Sequence, residues 1–475
     1  MTNAGIALSK TTHFYWAKPF RTSATFILTT LLLVVAAATS VATGQTYTDL
    51  YNFNKTHGYF PSFPNLLAQG RDGNLYGTTT SGGTNRYGVV FKLAPSGKLN
   101  VLYNFDGIHG WDPSSGLTLG AEGNLYGTTE GGGDNGFGTI FKITKSGSLT
   151  TLHSFTGGAD DGCPLAPPIQ GADGNFYGTT GGTCRTPPIA TAYKITSSGS
   201  FTVLGSLPWR SDAPLLQGTD GNFYGTTILS GSDTVFKMTP KGIVTIIYNF
   251  DQAHGDYPSG PLIQAGDSNL YGTTVLGGRD DAGVVFKLTP RGAITVLHSF
   301  GDPNYPNDGR APFAGLVPAT DGNFYGITAQ GGTLGYGVIF RITAAGVYSV
   351  LYNLDVAHGA GALSTPRQHT NGKIYGLTYG GGTSGKGVVY SFDVGLAPFV
   401  RTVSNSGKVG RVIGILGEGL TGTSNVSFNG TSATFTVFSD TYLTTTVPSG
   451  ATTGFVKVTT PGGALTSSQE FRVKR

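Results

Sequence analysis

The sequence predicts an all-β protein, a seven-bladed β-propeller followed by an immunoglobulin-like β-sandwich. Three observations carry that prediction. The composition holds 76 Gly, 28 Phe, 23 Tyr and 3 Trp with only 12% charged residues. That suits short strands joined by tight turns, and it does not suit charge-rich disorder. A unit of roughly fifty residues recurs along the chain, the mark of a repeat architecture. The recurrence stops after Phe392, and a different set of short apolar strings follows.

The chain opens with a leader. Lys10, Lys18 and Arg21 precede an uncharged stretch, residues 22–44, with an apolar run from Phe26 to Ala38 and small residues behind it. This is the order of a secretory signal, residues 1–44, with cleavage expected at Ala42-Thr43-Gly44 before Gln45 or at Ala38-Thr39-Ser40. The alternative is an uncleaved helix that tethers the chain to a membrane. Both readings place the rest of the chain outside the cytoplasm. The leader holds three of the 30 basic residues, so 27 remain against 26 acidic ones. A nearly neutral surface excludes nucleic acid as a partner.

Each repeat contains four strings. The most regular reads DGNLYGTT at 72–79, EGNLYGTT at 122–129, DGNFYGTT at 173–180 and 220–227, DSNLYGTT at 267–274, DGNFYGIT at 321–328 and NGKIYGLT at 371–378. Its tyrosines are Tyr76, Tyr126, Tyr177, Tyr224, Tyr271, Tyr325 and Tyr375, expected in the core. A VVFKL-type string follows, then a VLYNF-type string, and a PLIQA-type string precedes. In the order PLIQA, NLYGTT, VVFKL, VLYNF these are strands a, b, c and d of an antiparallel meander. Asp-Gly between a and b supplies the positive φ of a hairpin turn. The seventh repeat lacks strand d, and Tyr47–Phe53 (YTDLYNF) supplies one. It is expected to complete the last sheet and close residues 45–395 into a ring without free sheet edges.

The DGNLYGTT…GG…G-x-VFKL…G…TVLYNF pattern resembles the GloVer tandem repeat of exported bacterial proteins over residues 46–395. The resemblance implies export and often surface display, and no particular activity. Residues 396–475 read as a small β-sandwich of short strands between Gly, Ser and Asn turns. With Pro398, Gly417-x-Gly419, Phe428-Asn429-Gly430, Val447-Pro448 and Thr460-Pro461-Gly462-Gly463, they resemble the IPT/TIG module, which implies a spacer or contact surface.

Chemistry is sparse. Cys163 and Cys184 both lie in the third repeat, on loops of the same face, and in an exported chain they are expected to form a structural disulfide. The four glutamates are Glu122, Glu130, Glu418 and Glu470. Paired carboxylates for glycoside hydrolysis would have to come from loop residues such as Asp106, Asp112, Asp251, Asp256 or Asp355, and no spacing singles out a pair. No metal or cofactor motif is present. The d-to-a loops stand out: His57, His109, His254 and His358 each follow strand d by four residues and precede Gly. Tyr59, Trp111 and Tyr257 come next, and Trp209 occupies an equivalent loop. On one face of the disc these could stack on sugar rings and bond hydroxyls. Equally, an Asp-x-x-His-Gly turn can satisfy its own backbone. A basic residue recurs in strand c (Lys92, Lys142, Lys194, Lys237, Lys287, Arg341), expected to pack its stem between sheets and place its charge on a carbonyl.

The resulting expectation is an exported, non-catalytic binding or surface scaffold protein. Its ligand is an extracellular polysaccharide or a surface protein, held at the d-to-a loop face without a cofactor. The alternative is a polysaccharide-active lyase or hydrolase using the loop histidines and aspartates. A purely structural envelope component is the third reading.

Overall fold

The computed structural model describes residues 44–61, 66–181, 190–229, 231–305 and 307–474. The leader therefore lies outside the described residues, and so does Cys184. Among the described residues there is no helix, and every regular element is a strand. Seven four-stranded antiparallel sheets follow the repeats. Sheet 1 has strands a to d at Ala68–Gln69, Leu75–Thr79, Val89–Leu93 and Leu99–Asn104. Sheets 2 to 6 carry their b strands at Leu125–Thr129, Phe176–Thr179, Phe223–Thr227, Leu270–Thr274 and Phe324–Ile327. Sheet 7 combines Arg367–Gln368, Ile374–Thr378 and Val388–Asp393 with Thr46–Asn52 as its strand d. The pairing expected from the sequence is present, running from Thr46↔Asp393 to Asn52↔Val388.

The repeated YG and FK strings meet across each sheet. Gly77 lies opposite Phe91 and Tyr76 opposite Lys92. A Cβ on Gly77 would come within 2.6 Å of the Phe91 ring, so the ring of strand c lies where a side chain on strand b would stand. Gly127, Gly225, Gly272 and Gly326 meet Phe141, Phe236, Phe286 and Phe340 in the same way. The strand-c lysines differ from expectation. Lys92, Lys237 and Lys287 place their ammonium groups on the turn carboxylates Asp72, Asp220 and Asp267 at 2.6, 2.9 and 2.8 Å. A charge-assisted bond to an anion outcompetes a neutral carbonyl. Lys142 follows the expectation, donating to the Ser197 carbonyl at 3.3 Å. The tyrosine joins each cluster: Tyr76, Tyr224 and Tyr271 donate to the same carboxylates. Burial opposes ionisation of Asp220, but Asn222 and Lys237 outweigh it and hold the carboxyl at about 2. In sheet 7 a neutral Asn371 bonds Tyr375, and Ser391 stands where the lysine would be, so the acid and its counter-charge are lost together.

Sheets pack face to face in chain order, and the seventh packs on the first. Phe53, Tyr375, Leu377 and Val389 share one core with Leu67, Leu75, Val89 and Phe91. Glutamines of strand a add polar staples. The side-chain carbonyls of Gln170, Gln217, Gln264 and Gln368 accept the backbone N–H of Ala121, Ala172, Thr219 and Thr320, each in the a–b turn of the preceding sheet. Gln69 does the same to Thr370 across the closure. Sheet 2 has Leu119 at this position, and there Arg71 reaches the Ala121 carbonyl instead.

Residues after 396 form a four-stranded and a five-stranded sheet around Val400, Ile413, Ile415, Val426, Phe428, Val456 and Phe471. This pair of sheets lies against the a–b turns of sheets 1 and 3 and strand a of sheet 7. Thr441 donates to the Arg71 carbonyl at 2.9 Å, Arg411 to Ala172 at 3.2 Å and Arg401 to Gln368 at 2.9 Å. Arg71 lies 4.5 Å from the centre of the Tyr442 ring. The C-terminal sheets thus contact sheets 1, 3 and 7 on the side of the a–b turns, and the d-to-a and b-to-c loops occupy the opposite side.

Phe53 is fully buried at the closure. Phe53→Ala is expected to cost about 3–5 kcal/mol, whereas Phe455→Ser at an exposed position stays within ~0.5 kcal/mol. Denaturant titration of both variants checks this.

Candidate functional site

The loop face is built from one repeated backbone device. Phe60, Asp112, Cys163, Tyr257, Ala311 and Gly361 occupy equivalent positions in six loops, all with φ between 51° and 62°. Left-handed backbone at a bulky residue is costly and persists where surroundings impose it. The imposing bonds are visible. The N–H of Phe60, Asp112, Cys163 and Ala311 donates to a b–c loop carbonyl of the preceding sheet (Lys386, Tyr87, Phe137, Ala282). Their own carbonyls accept from the b–c loop of the sheet they enter (Thr80, Glu130, Gly181, Ala329). Each strained residue thus ties two sheets, and its side chain is displayed from a fixed backbone.

The four loop histidines are not brought together. They lie in separate loops, each held by its own turn beside the outer strand d. His109 Nδ1 bonds Asp106 at 2.7 Å, His254 bonds Asp251 at 2.6 Å and His358 bonds Asp355 at 2.8 Å. His57 bonds the Tyr51 hydroxyl at 2.5 Å, and Asn54 caps its backbone. Each ring thus has a local partner, a turn aspartate for His109, His254 and His358 and the strand-d Tyr51 for His57. The aromatic residues are displayed more openly. Trp111 is 40% exposed and lies flat over Gly131, where a Cβ would come within 2.2 Å of its ring. Phe60 stacks on Tyr379 at 4.7 Å, and Lys386 sits 4.8 Å from both the Tyr59 and Phe60 rings. Trp209 is partly buried just ahead of Arg210. Tyr257 accepts from Arg210 at 2.5 Å, and its N–H donates to Asp233 at 2.5 Å.

A carboxylate set surrounds Arg210 and Tyr257; Asp112 and Asp256 are among the loop candidates read from the sequence, and Asp212 and Asp233 are not. Arg210 pairs with Asp212 at 3.0 Å. Burial raises Asp212 to about 6; Arg210 opposes that shift and Glu130 adds to it. Burial, reinforced by Glu130, raises Asp112 to about 7. Burial and the adjacent Asp256 carboxyl raise Asp233 to about 6. Glu130 is itself pushed up by burial, against the pull of Arg210. The d-to-a and b-to-c loops of sheets 2 and 4 thus present buried acids whose carboxyls are all shifted upward, with Arg210 beside Asp212. The sequence did carry a signal for Glu130. The position after YGTT is Thr80, Gly181, Ile228, Val275, Ala329 or Tyr379 in the other repeats, so Glu130 is its one charged occupant. Among the described residues no group of three or more potential ligands could hold a metal ion, and no helix is long and apolar enough to cross a membrane.

Asp112 binds a proton in the folded chain up to about pH 7, against an ordinary value of 3.8. Its contribution therefore favours the folded state at low pH and is lost as pH rises from about 4 to about 7. Asp112→Asn is expected to gain melting temperature relative to the parent between pH 4.5 and 7.5. A difference that stays constant across this range contradicts the assignment.

The described residues have an all-β, propeller-like fold. The extracellular domain of a protein assigned as the hybrid two-component system BT4673 of B. thetaiotaomicron superposes with a TM-score of 0.50 at 10% identity, covering 91% of this chain and 60% of that one. A gluconolactonase from Xanthomonas campestris gives 0.39 at 12% identity over 73% and 89% of the two chains. A luciferin-regenerating enzyme gives 0.42 at 13% over 75% and 98%. No curated protein sequence matches the chain. The model of the Gloeobacter/Verrucomicrobia repeat matches residues 37–227 and 210–438. The chain belongs to the Gloeobacter/Verrucomicrobia repeat family.

Proposed function

We propose that this is an exported recognition protein, a closed seven-bladed propeller followed by an IPT/TIG module, that binds extracellular glycan at its d-to-a loop face. The observation that carries this reading is the asymmetry of the two faces. The C-terminal sheets dock on sheets 1, 3 and 7 from the side of the a–b turns, while the opposite face displays Trp111 and the Phe60–Tyr379 stack from backbone fixed by inter-sheet bonds. Aromatic faces pack against the apolar faces of sugar rings, and the acids beside Arg210 accept bonds from hydroxyl groups. Rigid display lowers the ordering cost of binding. Seven sheets with seven shared cores support the ring, and the two C-terminal sheets around one core support the module. Membership of an exported repeat family and the charge order of the leader support passage out of the cytoplasm.

A second reading rests on the proton held by Asp112 beside Glu130. A protonated carboxylic acid next to a second carboxyl is the pair that glycoside hydrolysis uses. One experiment separates the two readings. The 45–475 chain is incubated with a polysaccharide panel, and retention and new reducing or unsaturated ends are read in the same tubes. Recognition predicts retention without new ends, and a loss of affinity of at least about tenfold in Trp111→Ala/Trp209→Ala. New ends that disappear in Asp112→Asn establish the enzyme instead.

The Cys163–Cys184 disulfide belongs to the same reading. Cys163 is fully buried, and its carbonyl holds Gly181 three residues from Cys184. Thiol titration of the denatured, unreduced chain is expected to find no free thiol, and reduction to expose both.

A further inference from the structure

The a strands carry one residue out of keeping with the rest. Opposite the YG tyrosine stand Ala68, Thr118, Ile169, Leu216, Ile263 and Val317 in sheets 1 to 6, and Arg367 in sheet 7. A second arginine, Arg401, stands on the first strand of the C-terminal sheets. Both line a cavity of about 350 Å³ between the a strands of sheets 5 to 7 and the C-terminal sheets. Arg367 gives one N–H to the Leu67 carbonyl at 3.3 Å, and its Nε has no partner. Arg401 gives one to the Gln368 carbonyl at 2.9 Å and lies 5.4 Å from the centre of the Phe399 ring.

A guanidinium offers five N–H donors and stays charged in proteins. Two of them at one cavity call for a counter-charge. Among the described residues, no carboxylate forms an ion pair with either arginine. Glu418 is engaged by Thr370 at 3.2 Å, and burial disfavours its charged form. His369 faces the same region but bonds Gly73 and Asn371. Burial and the two arginines hold it at about 4, hence neutral. The rest of the lining is polar and uncharged or apolar, with Gln368, Thr402, Asn405 and Ser468 among it. The cavity lining therefore carries two arginines and no acid, with Glu418 outside it, 3.7 Å from His369, and the guanidinium fork matches a planar or tetrahedral oxyanion.

We propose that this cavity is an oxyanion-binding site in which Arg367 and Arg401 together hold one carboxylate, sulfate or phosphate group. The bound group bridges the repeat sheets to the C-terminal sheets. The site lies on the side away from the loop face and does not depend on the reading given for that face.

Melting of the 45–475 chain is measured at constant ionic strength in sodium chloride, inorganic phosphate, sulfate or glucuronate. A saturable rise of at least ~2 °C over chloride is expected for one or more of the oxyanions. Stabilisation by phosphate or sulfate alone identifies a free inorganic ion, and stabilisation by glucuronate identifies a sugar-borne carboxylate. In Arg367→Gln the rise vanishes, while melting in chloride alone is unchanged or higher because one member of a like-charged pair is gone. No rise beyond chloride in the parent, or an equal rise in Arg367→Gln, overturns the proposal. If that variant does not fold, sulfate titration of the parent chain by calorimetry decides. One saturable site per chain upholds the proposal, and no saturable heat overturns it.

Discussion

A sheet that is apolar on both faces cannot exist alone. Strands b and c of every repeat are buried almost throughout, so each sheet requires a neighbour on both sides, and a linear stack would leave two faces in water. Joining the last sheet to the first removes both exposed faces at once. The glutamine staples and the strained loop residues follow from this. Each is a polar link between neighbouring sheets, repeated where chemistry permits and replaced where it does not, as when Arg71 serves sheet 2.

The same constraint explains how variable side chains come to be held rigidly. Backbone in the left-handed region is imposed on Phe60, Asp112 and Tyr257 by hydrogen bonds that the inter-sheet packing requires. Stability thus resides in main-chain bonds that nearly any side chain can satisfy. The side chains at these positions are left free to differ, and they do: an aromatic ring, an acid, a cysteine, an alanine.

Period, strand order and the role of Thr46–Asn52 were legible in the sequence, because each rests on local patterns: Asp-Gly turns, the Tyr-Gly string and the missing seventh strand d. The tyrosines were legible as core for the same reason. The lysine ammonium was misread, because its partner is the turn aspartate about twenty residues upstream, and that proximity appears only once strands b and c are in register. The histidines were legible as either turn-formers or ligands, and the geometry of Asp106, Asp251 and Asp355 favours the turn. Of the acids around Arg210 only Asp112 and Asp256 were legible as candidates, and their grouping was not. Asp112 enters sheet 2 while Asp212 and Asp233 lie in two separate loops of sheet 4, so they are grouped only by three-dimensional packing. Arg367 was hidden in a two-residue strand whose importance comes from a partner in another part of the chain.

The first strand of the repeat region has a consequence for biosynthesis. Asn52 caps the amide of Thr383, 331 residues later, so its partners do not exist until nearly the whole ring has been translated. At about 5–20 residues per second that is a wait on the order of tens of seconds, during which strand Thr46–Asn52 has no partner strand, so the segment that completes sheet 7 is the one that stays unpaired longest.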